Sequence, residues 1–476
     1  MPPLPHNAGG VPMAFCGNGG ISCRVSTYSS AGGLDPTSSV VELVETPGRD
    51  PRDAAPINLT RACRIDGSGG VPAAVIELVE IRRRHPYLQE HARIMNTEAT
   101  AAASEGPSIT WTNDAGEPRS ALWCSVNGVK PPARVIEVDD TMTADDAYRT
   151  ASQGVAMLWR GDYQNARQLL NAMARRTSPA KDKPGESPAD AFYRYRQARS
   201  HRARILSLVL IPLDDGPSVA LRRAPDVSGA WQGAFGDVHG PSAASLQEVL
   251  GAIGAFEWRK NGLFVDALDA RIHPHYGTFA PIRGEYLDLV AQAPLPSTEL
   301  AFDIGTGTGV LAAILAQRGV RRVVATDSEP RAIACAEETF DQLGLADRAE
   351  PLLTDMFPNG RAALIVCNPP WLPGTPHSLL DNAVYDPKSR MLRAFLAGLP
   401  AHLEGDGEGW LIISDLAEHL GLRSRDELLA WIDDAGLQVL GRLDTQPKHP
   451  RATDRNDPFF SARSQEITSL WRLGVK

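Results

Sequence analysis

The chain has 476 residues, of which 43% are hydrophobic, 22% charged and 6% aromatic. This composition is typical of a globular protein and excludes the fibrous and wholly disordered classes, and the length predicts two or three domains at roughly 150 residues each. The 48 Lys and Arg against 57 Asp and Glu give a net charge of −9. Charge alone therefore does not make the whole chain a nucleic-acid binder.

The sequence indicates neither a membrane span nor a secretion signal. The longest apolar run, 205–212, is far shorter than the ~18 apolar residues that a span requires. The start of the chain lacks the basic and apolar regions of a signal peptide. The cysteines have no Cys-x-x-Cys spacing, which suits a reducing compartment and indicates no zinc site; they are Cys16, Cys23, Cys63, Cys124, Cys335 and Cys367. We therefore predict a cytoplasmic protein that needs no metal.

Residues 1–94 differ in composition from the rest of the chain. They are rich in Gly, Pro, Ser and Thr, and the Gly-Gly-Val-Pro of 9–12 recurs at 69–72. We interpret this segment as disordered, or as an over-long reading of the coding region with Met95 as the first residue. A regulatory or binding arm is the alternative that the composition leaves open.

A domain rich in α-helices is predicted for residues 95–270. Apolar residues recur at helical spacing after a capping-box-like start at Thr143–Asp146. The predicted elements, in chain order, are a first helix ending at Trp159, a second helix at 163–176, a linker at 177–190, a helix at 191–204 and an apolar strand at 205–213. The first two helices would form a helical hairpin.

From residue 271 to the end, short apolar runs alternate with helical stretches. The apolar runs begin at Leu300, Val323, Ala363 and Trp410. Fully apolar strands that alternate with helices are typical of a parallel sheet covered on both faces. The sequence therefore predicts an α/β domain over 271–476, built on a doubly wound and mostly parallel sheet.

The first strand of this domain ends in Asp303 and a glycine-rich turn before a helix. Gly305, Gly307 and Gly309 allow a sharp turn and the close approach of a ligand, because a Cβ atom would occupy the approach path. The turn is not the dinucleotide-binding Gly-x-Gly-x-x-Gly pattern, since position 310 is Val310. An acidic strand end suits a cationic or hydroxylated ligand.

Two further carboxylates follow the next two strands. Asp327 ends a strand about twenty residues after the glycine-rich turn, where a carboxylate can bind both hydroxyls of a ribose. Asp355 follows the next strand, where an adenine amine would lie. Taken singly, each would be a helix cap or a loop residue, but in this order after the turn we interpret both as ligand-binding residues.

The tetrad Asn368-Pro369-Pro370-Trp371 comes directly after the apolar strand 363–367. Ligands of open α/β sheets bind at such carboxyl ends of inner strands. The Asn368 side-chain oxygen and the Pro369 carbonyl can accept the two N–H groups of a planar nitrogen, while Trp371 stacks on the planar group. This arrangement suits group transfer to an amide or an exocyclic amine without a separate base.

These motifs resemble those of class I S-adenosylmethionine-dependent methyltransferases, in the small-domain branch with an (Asn/Asp)-Pro-Pro-aromatic motif. That branch includes glutamine methyltransferases of release factors and amino-group methyltransferases of DNA and RNA. The resemblance covers 271–476 and implies a seven-stranded Rossmann-like sheet with S-adenosyl-L-methionine as the methyl donor. It also implies that Asn368, Pro369, Pro370 and Trp371 form the acceptor and catalytic site.

The resemblance further implies which residues bind the cofactor. The upstream segment 276–285 would close over it, although this segment is only loosely similar to the Pro-Arg-Pro-x-Thr-Glu stretch of the glutamine enzymes. The implied set is Asp303, Gly305, Thr306, Gly307 and Gly309 around the methionine portion, Asp327 on the ribose, Asp355 near the adenine, and Phe279 and Asn368 beside them.

Two classes of acceptor compete. Residues 160–223 contain 13 Lys or Arg and 6 Asp or Glu, a net of +7, and 192–204 interleaves Arg with aromatic residues as nucleic-acid interfaces do. A solvated helix face with Phe192 and Tyr195 packed inward is the alternative for this stretch. The domain 271–476 has 20 Lys or Arg against 27 Asp or Glu, a net of −7, which leaves a protein or small-molecule amide open.

We therefore predict an N-methyltransferase of a nucleic-acid base, with 95–270 as its substrate-recognition domain. A release-factor-type glutamine methyltransferase is the alternative, followed by a small-molecule methyltransferase and by a non-catalytic scaffold, which would need neither motif. Asp381 and Tyr385 are candidates for substrate contact, and Asp386 either joins them or caps the helix after it. His449 is interpreted as a loop histidine, because the chemistry needs no base.

Overall fold

The computed structural model of the protein divides the chain into two compact units, Met1–Asn96 and Thr97–Lys476. The structure describes residues 21–26, 40–45, 106–177, 186–215, 217–448, 454–455 and 457–476. In the first unit these are two antiparallel strands, β1 (Ile21–Ser26) and β2 (Val40–Glu45). The rest of the predicted extension 1–94 lies outside the described residues, as do Met95 and His449, so the predictions about them stay predictions.

The second unit begins with a six-stranded mixed sheet of strand order β3-β4-β8-β7-β6-β5. Its strands are β3 (Ser108–Thr112), β4 (Pro118–Cys124), β5 (Val135–Val138), β6 (Ala156–Trp159), β7 (Val209–Leu213) and β8 (Ser242–Ser245). Its described helices are α1 (Ala144–Ser152), α2 (Tyr163–Arg176), α3 (Pro188–Leu206), α4 (Ser228–Phe235) and α5 (Leu246–Asn261). An antiparallel pair, β9 (Leu263–Val265) and β10 (Ala270–Ile272), follows.

The prediction of a helix-rich domain over 95–270 is corrected by this sheet, because the helices pack on strands. Gly154, at φ +73°, lets the chain turn from α1 into β6. Every residue of β6 is buried, and a short, fully apolar run fits a central strand as well as a helix face. The first predicted helix therefore ends at Ser152 and not at Trp159, so the predicted helical hairpin is wrong, whereas the second predicted helix, 163–176, is confirmed as α2. The helix predicted at 191–204 is confirmed as α3, which continues to Leu206, so β7 starts later than predicted.

The second unit continues with a seven-stranded sheet of order β13-β12-β11-β14-β15-β17-β16. Neighbouring strands pair in parallel except at β17, which is antiparallel to β15 and β16. The predicted α/β fold with a seven-stranded, mostly parallel sheet is thus confirmed. The strands are β11 (Leu300–Ile304), β12 (Arg322–Asp327), β13 (Ala349–Leu353), β14 (Ala362–Cys367), β15 (Leu403–Ser414), β16 (Leu437–Thr445) and β17 (Thr468–Val475).

Helices cover both faces of this sheet. They are α6 (Glu285–Gln292), α7 (Val310–Gln317), α8 (Pro330–Gln342), α9 (Leu379–Asn382), α10 (Arg390–His402), α11 (Leu416–His419), α12 (Arg425–Asp434) and α13 (Phe460–Arg463). Alternate residues of β14 enter the two cores, Leu364 and Val366 with α7, and Ile365 and Cys367 with α10. Burial on both faces explains why β14 is apolar throughout. Among the described residues, no helix is long and apolar enough to cross a membrane.

The strand order determines where in the sheet a ligand-binding crevice lies. The chain proceeds outward from β11 through β12 to β13, and then returns to the other side of β11 with β14. Such a reversal opens a crevice at the carboxyl ends of the two strands that flank it. The crevice therefore lies between the ends of β11 and β14, directly before the glycine-rich turn and the Asn-Pro-Pro-Trp tetrad.

Candidate active site

The structure brings the predicted acidic strand ends and the tetrad to one edge of the sheet. On β11, Asp303 is paired in register with Ala325 of β12 on one side and with Val366 of β14 on the other. Asp327 ends β12, and Asn368 follows the last residue of β14. Side chains far apart in the sequence thus surround the crevice.

Asp303 is fully buried, and its two carboxyl oxygens have different environments. Oδ2 accepts hydrogen bonds from the Thr306 hydroxyl at 2.6 Å and from the Ala312 amide at 3.1 Å. Oδ1 is buried and accepts no hydrogen bond from the described residues. Burial raises the pKa of Asp303 to about 7, and the charge of Asp327 adds to the effect. A buried carboxyl oxygen without a partner fits a ligand that carries a cation or donates hydrogen bonds.

The glycine-rich turn is held against β12 by its backbone. The amides of Gly305 and Thr306 donate to the Thr326 carbonyl at 2.9 and 2.8 Å. Gly307, at φ +56°, has no heavy atom within 4 Å of the place where a Cβ would stand, so the turn is open at this point. At Gly309, φ +78°, a Cβ would lie 2.8 Å from the Phe340 ring, so only glycine lets α7 pack on α8. The hydroxyl of Thr306 supports Asp303.

Asp327 joins the turn to the end of β12. Its Oδ2 accepts the Gly307 amide at 3.0 Å and its Oδ1 accepts the Glu329 amide at 3.0 Å. Burial raises the pKa of this carboxyl above its usual value. Each carboxylate oxygen has a further lone pair, so Asp327 can still accept hydroxyl groups of a ligand.

Asp355 lies two residues beyond β13 and is exposed. The loop that carries it is anchored to β12, because the Thr354 amide donates to the Asp327 carbonyl at 3.0 Å and the Thr326 hydroxyl to the Met356 carbonyl at 2.7 Å. The structure thus fixes the residues on both sides of Asp355 to the end of β12, which carries the predicted ribose-binding Asp327. Phe279 is half-buried in the segment between β10 and α6, and its role in binding stays a prediction.

In the tetrad, Trp371 orients Asn368. The indole Nε1 donates to Asn368 Oδ1 at 2.8 Å. The Trp371 ring packs edge-on against Tyr286 of α6, with ring centroids 6.4 Å apart, and the guanidinium carbon of Arg283 lies 5.3 Å from its centroid. Trp371 therefore has a structural role beside its predicted stacking on the acceptor.

Three residues that were not among the predicted site residues hold the tetrad in place. Arg283 and Tyr286 contact Trp371, and Glu466 pairs with Arg283. Arg283 pairs with buried Glu466 at 3.0 Å, and the Ser414 hydroxyl donates to the same carboxyl at 2.7 Å. Burial and the charge of Asp303 raise the pKa of Tyr286 far above its usual value, and contact with Asn368 opposes this shift. Tyr286 therefore stays protonated. The sequence could have indicated Arg283 and Tyr286 only through their position, since they fall in or beside the segment 276–285.

The loop after the tetrad, residues 373–386, is called the acceptor loop below. Buried Asp386 accepts the amides of Met391 and Leu392, each at 3.1 Å, so it caps α10, which was one of its two predicted roles. Asp381 accepts the His377 amide at 3.1 Å and is also bound from α3.

The seven-stranded sheet is the one that the resemblance to class I S-adenosylmethionine-dependent methyltransferases implies for the domain 271–476. Within it, residues 288–423 match the family model described as the methyltransferase small domain, as the Asn-Pro-Pro-Trp motif predicts.

Similar proteins include a release factor glutamine methyltransferase of Cereibacter sphaeroides, 34% identical over 183 residues, which are 34% of this chain and 66% of the relative. A tRNA1(Val) (adenine(37)-N6)-methyltransferase of Vibrio parahaemolyticus is 37% identical over 95 residues, 19% of this chain and 40% of the relative. Among solved structures, geranyl diphosphate C-methyltransferase of Streptomyces coelicolor is 14% identical with a TM-score of 0.31, over 40% of this chain and 77% of that one. The chain thus spans less than two thirds of the first two relatives.

Proposed function

We propose that the protein transfers a methyl group from S-adenosylmethionine to a planar nitrogen, with an exocyclic amine of a nucleic-acid base as the acceptor. The observation that carries the proposal is the adjacency of two strand ends. Asn368 follows β14, and on the neighbouring β11 the buried carboxyl of Asp303 is in register with Val366. One strand end would hold the donor and the other the acceptor.

The donor side fits S-adenosylmethionine in charge. Asp303 would hold the ammonium group of the methionine portion, since its Oδ1 is buried and accepts no hydrogen bond from the described residues. Asp327 would bind the ribose hydroxyls and Asp355 the adenine amine. Phe279, from the segment before α6, would cover the cofactor.

The acceptor side needs two hydrogen-bond acceptors and no base. Asn368 Oδ1 and the Pro369 carbonyl would accept the two N–H groups of the acceptor nitrogen, which aims its lone pair at the donor. Trp371 would stack on the planar group, and the fixed φ of Pro370 keeps the tetrad rigid. S-adenosylmethionine supplies the methyl group, so that an N–C bond forms as an S–C bond breaks, and the proton of the nitrogen leaves to water.

Basic side chains on α2 and α3 support a nucleic-acid acceptor. Arg199 and Arg204 are exposed on α3, and residues of α2 and α3 line a groove of about 380 Å³. The groove is lined by Asn171, Ala174, Arg175 and Arg202. Contacts from such a face to phosphates would position a polynucleotide without reading its sequence.

A protein glutamine is the second candidate acceptor. The match to a release factor glutamine methyltransferase is longer than that to the tRNA enzyme, 183 residues against 95. A primary amide presents the same planar NH2 group to Asn368 as an exocyclic amine does. The same tetrad could therefore serve either acceptor.

A labelling experiment tests the function and separates the acceptors. Lysate of a strain that lacks the protein is incubated with the purified protein and tritiated S-adenosylmethionine, and is then digested with nuclease or with protease. Label released by nuclease supports the base, and label released by protease supports the glutamine. Labelling of neither polymer overturns the proposal.

Two variants test the assignment of the site. Asn368→Ala should abolish transfer while titration calorimetry finds the dissociation constant of S-adenosylmethionine within about threefold of the wild-type value. Asp303→Ala should abolish donor binding itself. Glu299→Gln, which removes an exposed surface carboxylate, is the control and should change neither.

We also infer a cytoplasmic location. Three of the cysteines, Cys124, Cys335 and Cys367, are buried free thiols, as is usual in a reducing compartment. Recovery of the protein in the cytoplasmic fraction is expected, and recovery in the medium or with membranes would overturn the inference.

A further inference from the structure

Helix α3 reaches across to the acceptor loop. The stretch 192–204 interleaves Arg with aromatic residues, and two of these side chains are buried, Phe192 at 2% and Arg196 at 9% exposure. Both lie against the acceptor loop and its neighbours rather than in solvent. The predicted inward packing is thus confirmed for Phe192, and Arg196 has a partner that the sequence did not indicate.

Arg196 binds the acceptor loop at three points. Its Nη2 donates to the Thr375 carbonyl at 2.5 Å, and its Nη1 lies 3.3 Å from Asp381 Oδ2. Its guanidinium carbon stands 3.6 Å from the centroid of the Tyr385 ring. One side chain thus holds the beginning, the middle and the end of the loop.

The base of the acceptor loop, where Val384 and Asp386 are hydrogen-bonded to Leu372, directly adjoins the tetrad. The Leu372 amide donates to the Val384 carbonyl at 3.2 Å, and the Asp386 amide donates to the Leu372 carbonyl at 2.9 Å. Leu372 also shares a buried cluster with Phe192. Because Leu372 follows Trp371, a displacement of the loop base would move the tetrad.

A second anchor comes from the loop between β4 and β5. Asn127 accepts the Leu379 amide on its Oδ1 at 3.1 Å, and its Nδ2 donates to Glu248 of α5 at 2.7 Å. The acceptor loop is therefore bound on two sides by the domain that contains the six-stranded sheet.

We propose that Arg196 is a positioning residue for the acceptor, which holds the acceptor loop in place beside the tetrad. The proposal rests on the proposed function, since it takes the tetrad to be the acceptor site. A planar guanidinium can donate to a carbonyl and a carboxylate while it stacks on an aromatic ring, whereas an ammonium cannot make the three contacts together. Arginine is therefore required, and positive charge alone does not suffice.

The test compares Arg196→Lys and Arg196→Gln with Arg149→Gln, which removes a 68% exposed arginine of α1. Hydrogen exchange of the full chain should be faster in 373–386 for both Arg196 variants and unchanged for the control. Titration calorimetry with S-adenosylmethionine should find the wild-type dissociation constant in all three. With unmodified tRNA or release factor, whichever the wild type methylates, KM for that acceptor should rise on the order of tenfold in both Arg196 variants.

Asp381→Asn keeps the proposal testable if the Arg196 variants unfold, because it weakens the same contact from a partly exposed partner. It should speed exchange in the loop and raise the acceptor KM by a smaller factor. Exchange or KM equal to wild type in a folded variant, or full function of Arg196→Lys, overturns the proposal. A wild-type protein that methylates neither acceptor instead overturns the proposed function.

Discussion

The indole nitrogen of Trp371 donates a hydrogen bond to the side-chain oxygen of Asn368 at 2.8 Å. The bond leaves the second lone pair of that oxygen available and fixes its direction. In the proposed function this oxygen accepts one N–H of the acceptor nitrogen, and the hydrogen bond from Trp371 holds it in place before the acceptor binds.

Trp371→Phe should retain an aromatic ring for stacking but lose this hydrogen bond. We expect kcat to fall by about tenfold, which corresponds to about 1.4 kcal/mol, with a smaller change in the acceptor KM. Steady-state kinetics with the labelled acceptor measures both. A fall in kcat/KM that lies wholly in KM would show that stacking, and not orientation of Asn368, is the main role of Trp371.

Donor binding should depend on pH through Asp303. The pKa of this carboxyl is raised to about 7, so the carboxylate that we propose to bind the ammonium group of the donor forms only as the pH rises through that value. We expect the affinity for S-adenosylmethionine to increase between about pH 6 and pH 8, and Asp303→Asn to bind weakly without this dependence. Calorimetric titration at several pH values checks this, and a flat wild-type profile would contradict it.

The raised pKa of Asp303 also predicts how the free energy of unfolding of the donor-free protein depends on pH. The native carboxyl holds its proton up to about pH 7, whereas the unfolded one releases it near its usual value of 3.8, so stability contributed by Asp303 falls as pH rises across this window. Asp303→Asn, which is always neutral, should therefore gain stability relative to wild type from about pH 4 to pH 7, and the gain should stay constant above that range. Urea unfolding of both proteins measures the difference, which should grow with pH within that range.

Gly309→Ala should destabilise the domain by about 2–4 kcal/mol, since it adds strain at positive φ to a clash within a packed core. Its φ is +78° and the new Cβ would lie 2.8 Å from Phe340. Gly254→Ala is the matched control, because Gly254 lies in α5 with nothing within 4 Å of its Cβ position. The control should gain up to about 1 kcal/mol in denaturant unfolding.

Glu466→Gln should weaken the support behind the tetrad. The Glu466 carboxyl is 2% exposed and binds both Arg283 and Ser414, so loss of its charge should lower the free energy of unfolding by about 1–3 kcal/mol. Glu299→Gln removes a comparable pair with Arg321 at the surface and should change it by less than about 0.5 kcal/mol. Equal effects of the two substitutions would contradict this account of the buried pair.

The seven-stranded sheet could be predicted from the sequence because its strands are apolar on both faces and alternate with helices. The apolar runs that begin at Leu300, Val323, Ala363 and Trp410 carried that prediction. The six-stranded sheet could not, because a run as short as Ala156–Trp159 is compatible with a helix or a strand. Burial in the folded chain decides between the two.

Supporting residues escaped prediction for a different reason. Arg196 and its partner Asp381 are 185 positions apart, and no local pattern connects them. The Arg and aromatic composition of α3 indicated a nucleic-acid interface, yet Phe192 and Arg196 serve contacts within the chain. Composition reports which side chains are available, whereas the fold decides what each of them touches.

Asn127 joins two distant parts of the chain, since its side chain binds Glu248 of α5 and the backbone of Leu379 together. The acceptor loop, which borders the proposed acceptor site, is consequently held by residues of the six-stranded-sheet domain as well as by its own domain. Under the proposed function, substitutions at these contacts in the domain of the six-stranded sheet would change the shape of the acceptor site. In this protein, a new acceptor could evolve without any substitution in the methyltransferase motifs themselves.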